Sequence, residues 1–184
     1  MFPFGGIEHL AWSPDGKTIA YTSRKKTGKD YAVSTNSDIY FYDVESGKTT
    51  NMTEGMMGYD VNPQFSPDGS KLAWQSMERD GYESDKNRLF VMDLASGNKT
   101  YVTENFDYNT DAFTWNTDNK TIYLVACVEA KTQLFSADIG SKQISVITKG
   151  KHDYASVALG NGKLFAKRHS MSQPDEIYSV ELTN

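Results

Sequence analysis

One pattern returns four times along the chain, and a repeat of this size restricts the fold more than any single residue does. Trp12-Ser-Pro-Asp-Gly16 reappears as Phe65-Ser-Pro-Asp-Gly69, then in altered form as Trp115-Asn-Thr-Asp-Asn119, and it contracts to Gly160-Asn-Gly162. Ser13 and Ser66 lie 53 residues apart, and Ser66 and Asn116 lie 50 apart. Periods of this length belong to solenoids, propellers and repeat arrays. The second half of each unit repeats more faithfully. Asp38-Ile-Tyr-Phe-Tyr-Asp-Val-Glu45 matches Arg88-Leu-Phe-Val-Met-Asp-Leu-Ala95, Gln133-Leu-Phe-Ser-Ala-Asp-Ile-Gly140 and Glu176-Ile-Tyr-Ser-Val-Glu-Leu-Thr183. Alignment of these segments gives an aromatic column, Tyr40, Phe90, Phe135 and Tyr178, and an acidic column, Asp43, Asp93, Asp138 and Glu181. Thr53, Thr103 and Thr148 each follow the acid of their own unit by ten residues.

Each unit reads as short strands between turns, because Ile, Val, Tyr, Phe and Thr alternate with polar residues and no stretch carries a helical apolar stripe. The Ser-Pro-Asp-Gly segments are turns. Pro14 and Pro67 set φ at the first corner, Asp15 and Asp68 bond back to the backbone, and Gly16 and Gly69 accept positive φ. Glu45-Ser-Gly-Lys48, Ala95-Ser-Gly-Asn98 and Gly140-Ser-Lys-Gln143 form the second tight turn of their units. Four-stranded antiparallel units of about 45 residues are propeller blades. The expected fold is all-β: a β-propeller fragment of about four four-stranded antiparallel blades, the last incomplete, with no helix longer than two turns. The blades fall at about residues 7–53, 59–103, 110–148 and 152–184 of one partial propeller domain. The aromatic column, with Trp74 and Tyr123 on the second strands, is expected to be buried between blades.

Loop lengths separate two faces. The first-to-second and third-to-fourth strand turns are short. The second-to-third strand connections are long: Arg24–Ser37, Met77–Asn87 and His169–Asp175. Function on a rigid scaffold gathers on long loops. The candidate residues of this working face are Glu78, Arg79, Asp80, Tyr82 and Glu83, together with Arg168; the alternative is that these loops contact a neighbouring domain.

Composition excludes several classes of function. Lys and Arg number 19 against 24 Asp and Glu, for a net charge of -5, and no basic stripe suggests nucleic acid. No apolar stretch approaches the roughly 18 residues of a membrane span. The first residues show neither the charged region nor the apolar core of a signal peptide. A single cysteine, Cys127, rules out an internal disulfide, and its apolar surroundings suggest a buried structural thiol. There is no Gly-x-Ser-x-Gly nucleophile turn, and His9, His152 and His169 are scattered. No zinc spacing, phosphate loop or helical calcium loop occurs, so neither cofactor nor metal is expected. Asn51-Met-Thr53, Asn98-Lys-Thr100 and Asn119-Lys-Thr121 match the glycosylation sequon, but Asn- and Thr-rich turns produce such matches by chance.

The blades resemble two groups. Ser-Pro-Asp-Gly before an apolar strand, Asp-Ile-Tyr-x-x-Asp, then Ser-Gly and a closing Met-Thr or Val-Thr look like the propeller of prolyl oligopeptidase-family serine peptidases, of the dipeptidyl-peptidase and acylaminoacyl-peptidase branch. They also look like TolB-type periplasmic propellers. Two segments favour the peptidases: Arg168-His-Ser-Met-Ser-Gln-Pro-Asp-Glu-Ile-Tyr178 and Ser76-Met-Glu-Arg-Asp-Gly-Tyr-Glu-Ser-Asp-Lys86. The resemblance implies a C-terminal α/β-hydrolase domain as partner, carrying the Ser-Asp-His triad, with this chain as the non-catalytic C-terminal arc of a propeller that caps the active site and gates peptide substrates. No residue here matches the triad or the paired glutamates that grip substrate amino termini in some dipeptidyl peptidases. The alternative is a TolB-like binding propeller with no enzyme attached. The compartment is either the bacterial periplasm or the cytoplasm. Cut blade edges are expected to promote self-association.

Overall fold

The computed structural model describes residues 9–182. They form two compact units that divide between Lys99 and Thr100, each holding two blades. Blade 1 contains β1 (Leu10–Trp12), β2 (Thr18–Ser23), β3 (Asp38–Asp43) and β4 (Thr49–Asn51) in the order β1-β2-β3-β4. Blade 2 contains β5 (Asp60–Phe65), β6 (Lys71–Ser76), β7 (Arg88–Asp93) and β8 (Lys99–Tyr101), and the division between units falls inside β8. Blade 3 contains β9 (Ala112–Trp115), β10 (Thr121–Val128), β11 (Lys131–Asp138) and β12 (Ile144–Val146). Blade 4 has three strands: β13 (Asp153–Gly160), β14 (Lys163–Ser170) and β15 (Gln173–Val180). The described pairings within these four sheets are antiparallel. The fold is an all-β propeller fragment, and among the described residues its fourth sheet has three strands.

The repeated turns close as their residues dictate. Gly16 and Gly69 adopt φ of 71° and 73°. In blade 1 the Ser13 hydroxyl donates to Asp15 Oδ1 at 2.6 Å and accepts from Thr18 N–H at 2.9 Å, while Lys17 N–H donates to Asp15 at 3.1 Å. Blade 2 repeats this with Ser66, Asp68 and Lys71. In blade 3 Asn119 takes the positive φ, 56°, that glycine supplies elsewhere. The acidic column serves the second turn: Asp43, Asp93 and Asp138 accept from the N–H and hydroxyl of Ser46, Ser96 and Ser141. The threonines ten residues on close the blade. Thr53 Oγ1 accepts Ile39 N–H at 3.0 Å, and Thr148 Oγ1 accepts Leu134 N–H at 2.9 Å. Each satisfies a third-strand donor beyond the end of a three-residue fourth strand.

Side-chain alternation gives every blade two faces. The leading face carries the aromatic column; the trailing face is its reverse. In blade 1 the register puts Leu10, Trp12, Ile19, Tyr21, Tyr40 and Tyr42 on the leading face, and Ala11, Ala20, Ile39 and Phe41 on the trailing one. The leading face of blade 2, with Phe65, Leu72, Trp74, Phe90 and Met92, packs on the trailing face of blade 1 to make the core of the first unit. The second unit obeys the same rule. Tyr154, Val157, Leu164 and Ala166 of blade 4 pack on Tyr123, Val125 and Leu134 of blade 3.

Several expectations are corrected. Tyr40 and Phe135 are buried, but Phe90 and Tyr178 are only half-buried. Tyr123 is buried on the face opposite Phe135, because it pairs with Ser136 while Phe135 pairs with Leu124. Arg24–Ser37 is not all loop, since it holds α1 (Gly28–Val33), whose six residues fall short of two turns. His169–Asp175 is not a long loop: β14 and β15 continue to the pair Ser170–Gln173 and leave Met171 and Ser172 at the tip. Cys127 is exposed, because β9 pairs with β10 only as far as Val125 and the strand overhangs its neighbour beyond that point. Residues 7 and 8, where the first blade is expected to begin, lie outside the described residues.

The link between blades 1 and 2 centres on Asp60. Asp60 N–H donates to Ser37 C=O at 3.0 Å within a parallel bridge between Ser37 and Tyr59, and the Ser37 and Thr22 hydroxyls each donate to Asp60 C=O at 3.3 Å. Its carboxyl is fully buried and accepts Trp74 Nε1–H at 3.0 Å. Burial pushes the carboxyl up to about 7, against the pull of Ser76, Trp74 and Thr53. Between the ordinary carboxylate range near 4 and about 7, the unfolded chain ionises Asp60 while the folded chain keeps the proton. This group's stabilising contribution is therefore largest below that window, falls as pH rises through it and levels off above. Asp60→Asn is expected to flatten the dependence, which urea midpoints at pH 5 and 8 measure. Trp74, with 0% exposure, is the largest fully buried side chain. Trp74→Ala is expected to destabilise the first unit by about 3–5 kcal/mol, read from its urea unfolding transition.

Candidate functional site

The long connections of blades 1 and 2 meet as one platform in the first unit. The β6–β7 loop would cost backbone entropy to order unless its polar groups were satisfied locally. Asp85 does much of this. It takes Arg79 Nε–H at 3.2 Å and Nη2–H at 3.1 Å, and the backbone N–H groups of Glu78 and Arg79 at 3.1 and 2.9 Å. The forked Arg79 interaction holds the Asp85 carboxyl well below the usual range. The Arg79 guanidinium also lies 4.2 Å from the centre of the Tyr82 ring. Glu78 sits 3.5 Å from Arg88, and the Tyr59 hydroxyl donates to Glu83 at 3.3 Å.

Asp80 joins the two loops. Its carboxylate accepts the Ser34 hydroxyl at 2.7 Å, Thr35 N–H at 2.7 Å and Asn36 N–H at 3.1 Å, all in the chain leaving α1. Gly81 N–H returns a bond to the Thr35 hydroxyl at 2.8 Å. These donors lower the Asp80 pKa against the desolvation that opposes them. The α1 segment is tied back by Arg24, which donates to Ser34 C=O at 2.9 Å and lies 4.1 Å from the Tyr31 ring centre.

Five of the six expected site residues thus stand together, but in different roles. Arg79 and Asp80 hold the loop's shape. Tyr82, 47% exposed, and the side chains of Glu78 and Glu83 lie on the exposed side of the loop, each held by one contact within the first unit. Arg168 belongs to blade 4, where its guanidinium lies 3.5 Å from the Tyr178 ring centre. That contact recurs: Lys25 Nζ lies 3.7 Å from the Tyr40 ring centre and Arg88 5.2 Å from that of Phe90. A cation therefore caps the aromatic column in blades 1, 2 and 4, which gives Arg168 a packing role. In blade 3 the Phe106 ring meets Phe135 edge-on at 5.3 Å instead.

Sequence reasoning missed the Asp80 clamp, because Ser34, Thr35 and Asn36 carry no motif. It also missed Asp60, although a signal exists: an acid opens the first strand in blades 2 and 4, as Asp60 and Asp153, and Asp111 directly precedes that of blade 3. Burial raises the pKa of Asp111 as it does that of Asp60. Asp153 accepts Thr132 N–H at 2.8 Å. Among the described residues no group of His, Cys, Asp and Glu is arranged to hold a metal ion.

Residues 9–183 match the PD40 family, the TolB beta propeller domain. The chain belongs to that family. Along its whole length this TolB-type propeller chain is 55% identical to dipeptidyl-peptidase 5 of Porphyromonas gingivalis, of which it spans 27%. It therefore covers about a quarter of that relative's length. The fold is similar to that of Pyrococcus horikoshii acylaminoacyl peptidase, with TM-score 0.73 at 17% identity, covering 95% of this chain and 27% of that one. It is also similar to TolB from Acinetobacter baumannii, with TM-score 0.66 at 19% identity, covering 94% of this chain and 40% of that one. The resemblance read from the repeats to TolB-type and peptidase propellers is thus supported by all three.

Asp80→Ala is expected to release the α1 segment from the β6–β7 loop while the blades stay folded. Hydrogen exchange should then accelerate at the amides of Thr35, Asn36 and Gly81, with the strand amides of β6 and β7 unchanged.

Proposed function

We propose that this chain is the non-catalytic propeller part of a serine peptidase of the dipeptidyl or acylaminoacyl type, where it caps the active site and gates peptide substrates. The observation that carries this reading is the end-to-end match to dipeptidyl-peptidase 5 at 55% identity over 27% of that protein. The four blades belong to one propeller, and its partner is an α/β-hydrolase domain that supplies the nucleophile. The platform of blades 1 and 2 provides the gate. Its loops are held by charge-assisted bonds instead of a core, so they can be rigid without being buried. Glu78, Tyr82 and Glu83 offer acceptors and a ring to a passing peptide, while Arg79 and Asp80 fix their positions. Arg168 belongs to the scaffold below the substrate path.

A TolB-like binding propeller with no attached enzyme is the second reading, favoured by the fold match to TolB. The coding sequence following Asn184 separates the two. A Gly-x-Ser-x-Gly on a strand-turn-helix pattern supports the peptidase, and a stop within one blade supports the binding module. For the chain itself the expected outcome is no turnover of dipeptidyl or acylaminoacyl chromogenic amides, even at high protein concentration. Turnover abolished by a serine-directed reagent would refute the non-catalytic role.

A further inference from the structure

The segment that links blades 1 and 2 is tied to the roots of both platform loops. Ser37, where the α1 segment enters β3, donates its N–H to Gly58 C=O at 3.2 Å and accepts Asp60 N–H at 3.0 Å. On the other side Met77, directly after β6, donates its N–H to Tyr59 C=O at 2.8 Å. The two backbones are as close as they can come, since a Cβ on Gly58 would run into the Met77 carbonyl. The link therefore cannot shift without disturbing Ser37, Met77 or both. It can shift without unzipping the rest of its strand. The β5–β6 ladder breaks between Val61 and Gln64, where Asn62 takes a φ of 56° and Pro63 has no N–H to give.

At the end of this link sits a titratable group, the fully buried side chain of Asp60. Its Oδ1 accepts Trp74 Nε1–H at 3.0 Å, and its Oδ2 is buried without a hydrogen bond. The hydroxyls of Ser76 and Thr53 favour the ionised form, but burial outweighs them. Asp38 of β3 faces it with a like charge, and itself accepts the Thr53 and Tyr40 hydroxyls at 3.3 and 3.4 Å. Arg88 of β7 is a cation at this root, but its donors go elsewhere. Its Nε–H and Nη2–H are given to the C=O groups of Ser76 and Met77, and its Nη1 lies 3.5 Å from Glu78. β2 and β6 bring Thr22, Ser76 and Trp74, which carry no charge. A carboxylate formed at Asp60 thus has a like charge beside it and no cation bonded to it.

We propose that Asp60 is a proton-operated latch beneath the platform: protonated, it lets the link lie buried between Ser37 and Met77, and loss of the proton draws the link toward water and loosens the roots of both loops. The driving force is the cost of a charge without water. Opening the Asp60–Val61 end of β5 hydrates the carboxylate and gives up only a few main-chain bonds. An opened link restores the ordinary carboxylate range, so the latch loosens progressively from near pH 4 to about 7 and stays at its loosest above. Asp80 and Asp85, which brace the loops themselves, are held below the ordinary range and keep their charge as Asp60 loses its proton.

The test follows the unaltered protein by NMR and amide hydrogen exchange from pH 5 to 8. The Trp74 indole N–H, bonded to the carboxyl, reports the proton directly, and its cross-peak is expected to move with a midpoint at about 7. Exchange is corrected for the intrinsic effect of pH. Between pH 5 and 7 the amides of Ser37, Asp60 and Met77 are expected to lose protection by about tenfold or more, with Thr35 and Asn36 following, and to level off above. These amides should exchange faster than those of β7 at every pH. Low urea should leave their rates unchanged while it accelerates β7, because the latch exposes little surface. Asp60→Asn keeps an acceptor for Trp74 and cannot ionise, so it is expected to remove the pH dependence at the same amides. An indole peak that stays still from pH 5 to 8 overturns the proposal. So does constant protection at Ser37, Met77 or Asn36, or a folded Asp60→Asn variant in which protection still falls. Exchange at the rate and urea dependence of β7 overturns it too, since opening would then be unfolding of the whole unit.

Discussion

Burial of one sheet face against the next sheet is the interaction on which everything else rests. The outer strands β4, β8 and β12 are three residues long, and each sheet carries apolar side chains that are favourable only when another layer covers them. Each blade has two sides to cover, and within both units the cover is another blade. Trp74 shows how closely the parts depend on one another. It fills the blade 1–blade 2 core, stacks on Phe90, and donates its indole N–H to the buried carboxyl of Asp60. That carboxyl would be costly to bury unpaired, and its remaining cost appears as a proton held up to about pH 7.

Polar groups in this protein mostly fix shape. The acids of the repeated column lie at turns, where serine hydroxyls and backbone N–H groups meet them. The threonine that closes a blade replaces a ladder bond its short neighbouring strand cannot supply. Cations on the aromatic column serve the same purpose, covering ring faces with the stems and heads of Lys25, Arg88 and Arg168. Only at the platform of blades 1 and 2 does this local bracing leave groups over. There Asp80 and Asp85 consume the donors of two loops, and Tyr82, Glu78 and Glu83 are left facing solvent. A platform assembled this way keeps its form without a hydrophobic floor.

Much of this was legible in the residues. Ser-Pro-Asp-Gly fixed turn geometry because proline restricts φ, aspartate bonds its own backbone and glycine alone accepts positive φ cheaply. Strict alternation fixed strands, and the repeat fixed their number and their antiparallel order within each blade. The location of the platform in the Met77–Asn87 loop followed from loop length. The acids that open the inner strands stood in plain view at repeat positions, but nothing in their identity separates a buried Asp60 from a solvated one.

The rest depended on which atoms meet in space. Phe90 and Tyr178 carry the aromatic signature of the column, yet their burial depends on the caps above them, and no pattern of spacing encodes that. His169–Asp175 looks like a loop because of its proline and polar residues; in the fold an edge strand tolerates Pro174, since only one side of β15 needs ladder donors. Cys127 sits in an apolar run, but exposure follows from how far β9 reaches. The partners of Asp80 lie more than forty residues away, and only folding brings two loops of different blades within hydrogen-bonding distance. The sequence by itself determined the blades, since turn chemistry and alternation are local. The tertiary structure decided which faces are covered and which side chains remain exposed, since these depend on contacts between distant segments.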